Sequence, residues 1–207
     1  MTVTSVERRR GSLYRVTLDG ETAYMIDKNT WDESALDVGS SLDAEKWERL
    51  VRRSSKRRAH DRALYLLSLR DYPAKTLRQK VMEGGTDAAD AAEAVDRMIE
   101  LGLVNDERYA RRLARDLFAF KHFSVRRVAQ ELQKKGIDRD TAMDAAAEIG
   151  AEQDDLQQAI DFLKKKYYNK LGSEEQRRKT AQALLRAGFD YDTVRRAMAA
   201  VLDEDEE

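Results

Sequence analysis

Residues 132–142 read LQKKGIDRDTA, and residues 184–194 read LLRAGFDYDTV. Leu, Gly, two Asp and Thr hold the same places in both. A weaker third copy, VMEGGTDAADA, occupies 81–91. In each copy an apolar helical stretch runs into a glycine, with an aspartate two positions beyond it. Glycine takes the left-handed conformation that ends a helix, and the residue after it folds an apolar side chain back onto that helix. The aspartate then accepts hydrogen bonds from the free amides that open the next helix. Gly85 to Gly136 spans 51 positions and Gly136 to Gly188 spans 52. This spacing predicts three tandem units, each built as helix, helix, Gly-x-Asp corner, helix.

The apolar periodicity supports that plan. In the first unit Ala59, Ala63, Leu66 and Leu67 line one face. Pro73 suits a first helical position, Leu77 and Val81 follow, and Ala88, Ala91, Ala92, Val95, Met98 and Ile99 form the third stripe. Asn105 caps the second unit, whose stripes are Tyr109, Leu113, Leu117 and Phe120, then Val125, Val128 and Leu132 after the cap Ser124, then Ala142, Ala145 and Ile149. The third unit carries Leu156, Ile160, Leu163 and Tyr167, a Ser173/Gln176 capping box, Leu184 and Leu185, then Val194, Met198 and Val201.

The N-terminus is different. SLYRVTLDGETAYMI alternates as a strand does, with Tyr14, Val16 and Leu18 on one face and Asp19-Gly20 as a tight hairpin turn. TVTSVERR can pair beside it, and from Asp43 a helix with Ala44, Trp47, Leu50 and Val51 closes the sheet. The expected fold is therefore mostly α: three tandem three-helix repeats in an extended curved array, preceded by a small β-hairpin or meander plus helix. The boundaries fall at 1–51, 52–104, 105–150 and 151–202, with an acidic tail at 203–207.

Composition narrows the function. With 42% hydrophobic and 37% charged residues, several thin cores suit this chain better than one thick globule. There is no Cys, which removes disulfides, thiolate metal sites and a Cys nucleophile and points to a reducing, cytoplasmic setting. Only His60 and His122 are present. Phosphate loops, dinucleotide fingerprints, nucleophile elbows and metalloprotease motifs are all missing. Glu148, Glu152, Asp154 and Asp155 read as a solvated rim rather than a catalytic pair. The chain reads as a non-enzyme that needs no cofactor, metal or membrane.

Charge is what remains. RRSSKRRAHDR at 52–62 gathers cations with one local acid, and the tail DEDEE is wholly acidic. Lys75, Arg126 and Arg178 each stand ten residues before their unit's glycine, in basic clusters that include Arg78, Lys80, Arg127, Lys134, Lys135, Arg177 and Lys179. A repeated cation predicts a row of like charge along stacked units. The competing account is that cations gather at helix C-termini to suit the dipole. FKHFS at 120–124 and KKKYYNK at 164–170 interleave aromatics with lysines, as base-stacking segments do. Core rings beside snorkelling lysines give the same pattern.

ALYLLSLRDYPAKTLRQKV, LGLVNDERYARRLARD, SVRRVAQELQKKGID and LLRAGFDYDTVRRAM resemble the RecX family of bacterial recombination regulators over about residues 59–201. Asn105 to Tyr109 is the most specific element. The resemblance implies three tandem three-helix repeats, with no catalytic residue. It also implies a protein that lies in the groove of RecA–DNA filaments and lowers RecA's ATPase, strand exchange and coprotease activity. Gly84-Gly85-Thr86 departs from the family pattern of Gly followed by a bulky apolar residue, which Ile137 and Phe189 keep. Charge and register nominate Arg57, Arg58, Arg62, Lys75, Arg78, Tyr109, Arg111, Arg112, Arg126, Arg127, Lys134, Lys135 and Arg178 as partner contacts. The partner is a RecA filament, with nucleic acid as part of it, met by a monomer. The alternative is a direct DNA-binding protein using helix–turn–helix-like pairs, against which the pI near 6.2 argues.

Overall fold

The computed structural model describes residues 1–167 and 171–204; Tyr168, Asn169 and Lys170 of KKKYYNK and the last three residues of the acidic tail lie outside them. Strands β1 (Val3–Arg9), β2 (Leu13–Leu18) and β3 (Thr22–Asp27) form one antiparallel sheet in chain order. The β2–β3 turn holds Asp19 at φ 51° and Gly20 at φ 79°, as the Asp-Gly pair predicts. Ten helices follow among the described residues. They are α1 (Lys28–Glu33), α2 (Ala44–Leu69), α3 (Ala74–Met82), α4 (Ala88–Glu100), α5 (Asp106–Lys121), α6 (Val125–Lys134), α7 (Arg139–Gly150), α8 (Asp155–Tyr167), α9 (Glu174–Arg186) and α10 (Tyr191–Glu204). Two compact units result, one from Met1 to Val104 and one from Asn105 onward.

In the first unit Val16, Leu18 and Ile26 of the sheet bury against Trp31 of α1 and against Trp47 and Leu50 of α2. Sequence reading missed α1, a six-residue helix too short to show a period; Asp27 starts it by accepting the Thr30 N–H at 3.0 Å. The reading also placed a junction at 51/52, where α2 instead runs unbroken, because no Gly or Pro interrupts Ala44–Leu69. Its first half covers the sheet, and Ala59, Ala63 and Leu66 of its second half enter a separate core with α3 and α4. The buried Ser54 hydroxyl accepts the Asp27 N–H at 2.8 Å and so pins the sheet's end to mid-helix.

One packing scheme then recurs. The first and third helices of each trio lie side by side, α2 with α4, α5 with α7 and α8 with α10. Buried alanines make that approach close: Ala59, Ala63, Ala91 and Ala94, then Ala110, Ala114, Ala142 and Ala146, then Ala159 and Ala197. The middle helix supplies bulk through Leu77 and Val81, Val128 and Leu132, and Leu184. Each such side chain contributes about 1.5–3 kcal/mol by leaving water. In α5 the buried stripe is Ala110, Ala114 and Phe118. The stripe expected from sequence marks its edge, and Phe120 is 63% exposed.

The three corners take the predicted form. Gly85, Gly136 and Gly188 have φ of 84°, 96° and 94°. Asp87, Asp138 and Asp190 cap the following helices, accepting from Asp90, Thr141 and Thr193 amides at 2.8, 3.0 and 2.7 Å. Ile137 and Phe189 are buried, and their N–H groups reach back to Leu132 and Leu184 carbonyls at 3.3 Å. Thr86 is only half-buried and makes no such bond among the described residues, so the first corner lacks its apolar clasp. Pro73 stands one place earlier than expected, as the N-cap of α3.

At Gly188 a second constraint is added: a Cβ there would collide with Ser124 Oγ and meet Arg127 Cβ at 2.9 Å. Gly85 faces open space. Alanine at Gly85 therefore costs about 1–2 kcal/mol from the left-handed backbone alone. Gly188→Ala is expected to lower the unfolding midpoint clearly further; equal losses in denaturant melts would remove the contact from the argument.

The caps predict a pH response as well. Hydrogen bonds from Thr141 hold the Asp138 carboxyl below its ordinary value, and those from Thr193 do the same for Asp190. A lowered folded-state pKa stabilises above the unfolded value, and that stability is lost as pH falls through the folded pKa. Melting temperature is thus expected to drop below about pH 4. Asp138→Asn with Asp190→Asn, which keeps capping oxygens, should flatten that drop while leaving the neutral-pH midpoint nearly unchanged.

Candidate functional site

The cation run of α2 meets its acids in space rather than in sequence. Arg57 donates to Glu33 of α1 at 3.0 Å and lies 4.0 Å from Asp27, and Arg53 pairs with Glu33 as well. Lys56 reaches Glu93 of α4 at 2.5 Å. The hydrogen bond to Glu33 raises the Arg57 pKa further and keeps it charged. Arg78 of α3 is tied to Asp96 at 2.6 Å. Arg58 and Arg62 are placed differently. With Lys28, Asp61 and Tyr65 they line a cleft of about 460 Å³. Arg62 lies 5.7 Å from the Tyr65 ring centroid, and its buried Nε has no partner.

In the second unit Arg111 bridges α5 to α7 through Glu148 at 2.8 Å and also reaches Glu107 at 3.4 Å. Arg112 lies 5.7 Å from the Tyr109 ring on α5. On α6, Glu131 holds both Arg127 at 2.8 Å and Lys134 at 2.9 Å. The Lys134 hydrogen bond, followed by the Arg127 charge, lowers the Glu131 pKa. Lys135, just beyond α6, is exposed. Arg178 pairs with Glu174 at 3.2 Å within α9.

The repeated cation therefore splits. Lys75 and Arg126 are each the second residue of their helix, are exposed, and form no ion pair among the described residues. The attraction of helix C-termini for cations cannot explain them, since a first turn repels positive charge. Arg178 sits a turn deeper in the longer α9 and is neutralised. Arg126 and Arg127 also border a cleft of about 720 Å³ between α6 and the third trio. Lys166 and Arg186 join them there, and sequence reading had not nominated either. Two signals were available: Lys166 lies in the lysine–aromatic segment, and Arg186 occupies the register of Lys134, two residues before the corner glycine. Among the described residues no helix is long and apolar enough to cross a membrane, and no cluster of acids and histidines could hold a metal ion.

Tandem three-helix units, each turned by an internal glycine corner and carrying clustered surface cations, define a class of helical-repeat proteins. Two family models match: the second three-helix domain of RecX over residues 105–145 and the third over 152–198. The chain is 32% identical over 136 residues to a Regulatory protein RecX of Trichlorobacter lovleyi, covering 64% of this chain and 88% of that one. The corresponding Stenotrophomonas maltophilia protein is 36% identical over 138 residues, covering 66% and 82%. The Clostridioides difficile protein of the same name is 26% identical over 209 residues, covering 99% and 97%. A crystal structure of regulatory protein RecX superposes with a TM-score of 0.63 at 20% identity, covering 93% of this chain and 96% of the other. RecX from Lactobacillus salivarius gives 0.59 at 23%, covering 71% and 96%; both likenesses concern the fold alone. The chain belongs to the RecX family of regulatory proteins.

Proposed function

We propose that this protein binds in the groove of RecA–DNA filaments and lowers RecA's ATPase, strand exchange and coprotease activities, acting as a monomer in the cytoplasm. The observation that carries the reading is the pair Lys75 and Arg126, cations at equivalent places in two repeated units that form no ion pair among the described residues. Their helices gain nothing from a positive first turn, so the charge is directed at something outside the chain. A partner made of identical subunits presents its own anions at a fixed repeat, and two modest contacts made by one chain multiply.

Within this reading Arg58, Arg62, Lys75 and Arg126 make the direct contacts, with Tyr109, Arg112 and Lys135 beside them. Arg57, Arg78, Arg111, Arg127, Lys134 and Arg178 already hold internal carboxylates. Each must exchange one partner for another, and such exposed pairs give up little when they do.

The test is RecA's DNA-dependent ATPase with the protein titrated in. The wild type should lower the rate, whereas Arg58→Gln combined with Lys75→Glu should raise the half-inhibiting concentration about tenfold, a loss of about 1.4 kcal/mol. Glutamate in a first turn suits the helix dipole, so unchanged circular dichroism is expected. Full inhibition by the folded double variant would remove these cations from the contact, and a wild type that leaves the ATPase untouched would overturn the reading.

A further inference from the structure

We infer that the cleft between α6 and the third helical trio is a phosphate-binding site that takes a single strand of nucleic acid. Its rim carries Phe123, Arg126, Arg127, Lys166, Tyr167 and Arg186 around about 720 Å³ of open space. Against four cations stands one carboxylate, Asp190, and it is already committed to the Thr193 amide at 2.7 Å. Arg126, Lys166 and Arg186 form no ion pair among the described residues. Arg127 spends one nitrogen on Glu131, and its Nε is buried without a partner.

Lys166 is the most telling of the four. Its Nζ stands 4.3 Å from the Phe162 ring centroid and 5.7 Å from that of Phe123. Desolvation first, then the like charges of Lys121 and Lys165, pull its pKa down. Unlike Arg57 or Arg111, it has no carboxylate among the described residues to offset that cost. A charge held this way is relieved by an anion arriving from outside.

Two observations choose the anion. Three of the four cations here are arginines, whose planar fork fits phosphate oxygens in pairs. Exposed rings lie close by in the chain. Tyr191, next to the lining Asp190, is 76% exposed; Phe120, whose carbonyl accepts from Lys165 at 2.9 Å, is 63% exposed. Cations for the backbone with open rings for unpaired bases is the recognition chemistry of a single strand. A duplex hides those base faces, and an acidic peptide has no use for them.

The inference deepens the filament reading by giving its nucleic acid a seat, and it rests on that reading for its biological setting. Binding itself is measurable without RecA. Fluorescence anisotropy with a labelled oligothymidine should show binding whose log–log salt slope is near −2 to −3, about 0.7 for each phosphate contact. Arg126→Glu with Arg186→Gln should weaken it at least tenfold and flatten the slope by about 1.4. Phe120→Ala with Tyr191→Ala, at exposed positions that do not threaten folding, should weaken binding while leaving the slope alone. Duplex of equal length and polyglutamate should compete poorly. Unchanged affinity in the charge variant, competition by polyglutamate equal to that of unlabelled strand, or no binding by the wild type would each overturn the assignment. The ATPase titration would still judge the filament reading separately.

Discussion

Each helical trio in this chain hangs on a glycine set where most other residues are strained. At Gly85, Gly136 and Gly188 the backbone enters the left-handed region, stops one helix and releases the next from a neighbouring aspartate. Without that reversal the third helix of a trio could not fold back beside the first, and the alanines that let them touch would face water. The economy is visible in the cores. No trio needs a large apolar mass, because small residues bring two helices close and one middle helix fills the remaining space. That is how a chain with 37% charged residues still closes four separate cores.

Much of this was legible in the sequence because corners are local. Glycine, apolar residue and aspartate act on backbone within a few positions, so their spelling survives in any reading of the chain. The hairpin at Asp19-Gly20 was legible for the same reason. What escaped was whatever depended on partners far along the chain. Helix α1 has too few residues to show a period, and α2 serves two cores with one unbroken stripe. Phe120 and Phe118 are two residues apart in α5, and only the packed neighbours decide which of them is covered.

The candidate surface follows the same division. Along the sequence, 52–62 is short of acid. In space Glu33 and Glu93 come from α1 and α4 to answer Arg53, Arg57 and Lys56. Net charge in a stretch therefore overstates what a partner meets, since neutralisation is a property of the fold. The cations that remain unanswered, Lys75 and Arg126 among them, were found by their register. The cluster of Arg126, Lys166 and Arg186 was not, because three separate helices or helix ends assemble it.

The seam at Gly188 has a mechanical meaning. The Ala187 carbonyl receives the Ser124 N–H at 3.2 Å, and the adjacent glycine leaves no room for even one methyl group. Main chain rests on main chain there, so the separation is fixed by covalent dimensions instead of by side chains that can swing. Arg126 and Arg186 lie within two residues of that touching point, each on its own side. Their spacing is consequently gauged by the skeleton of the molecule, and sequence drift among the surrounding side chains can alter their reach while leaving the gap between their anchors as it is.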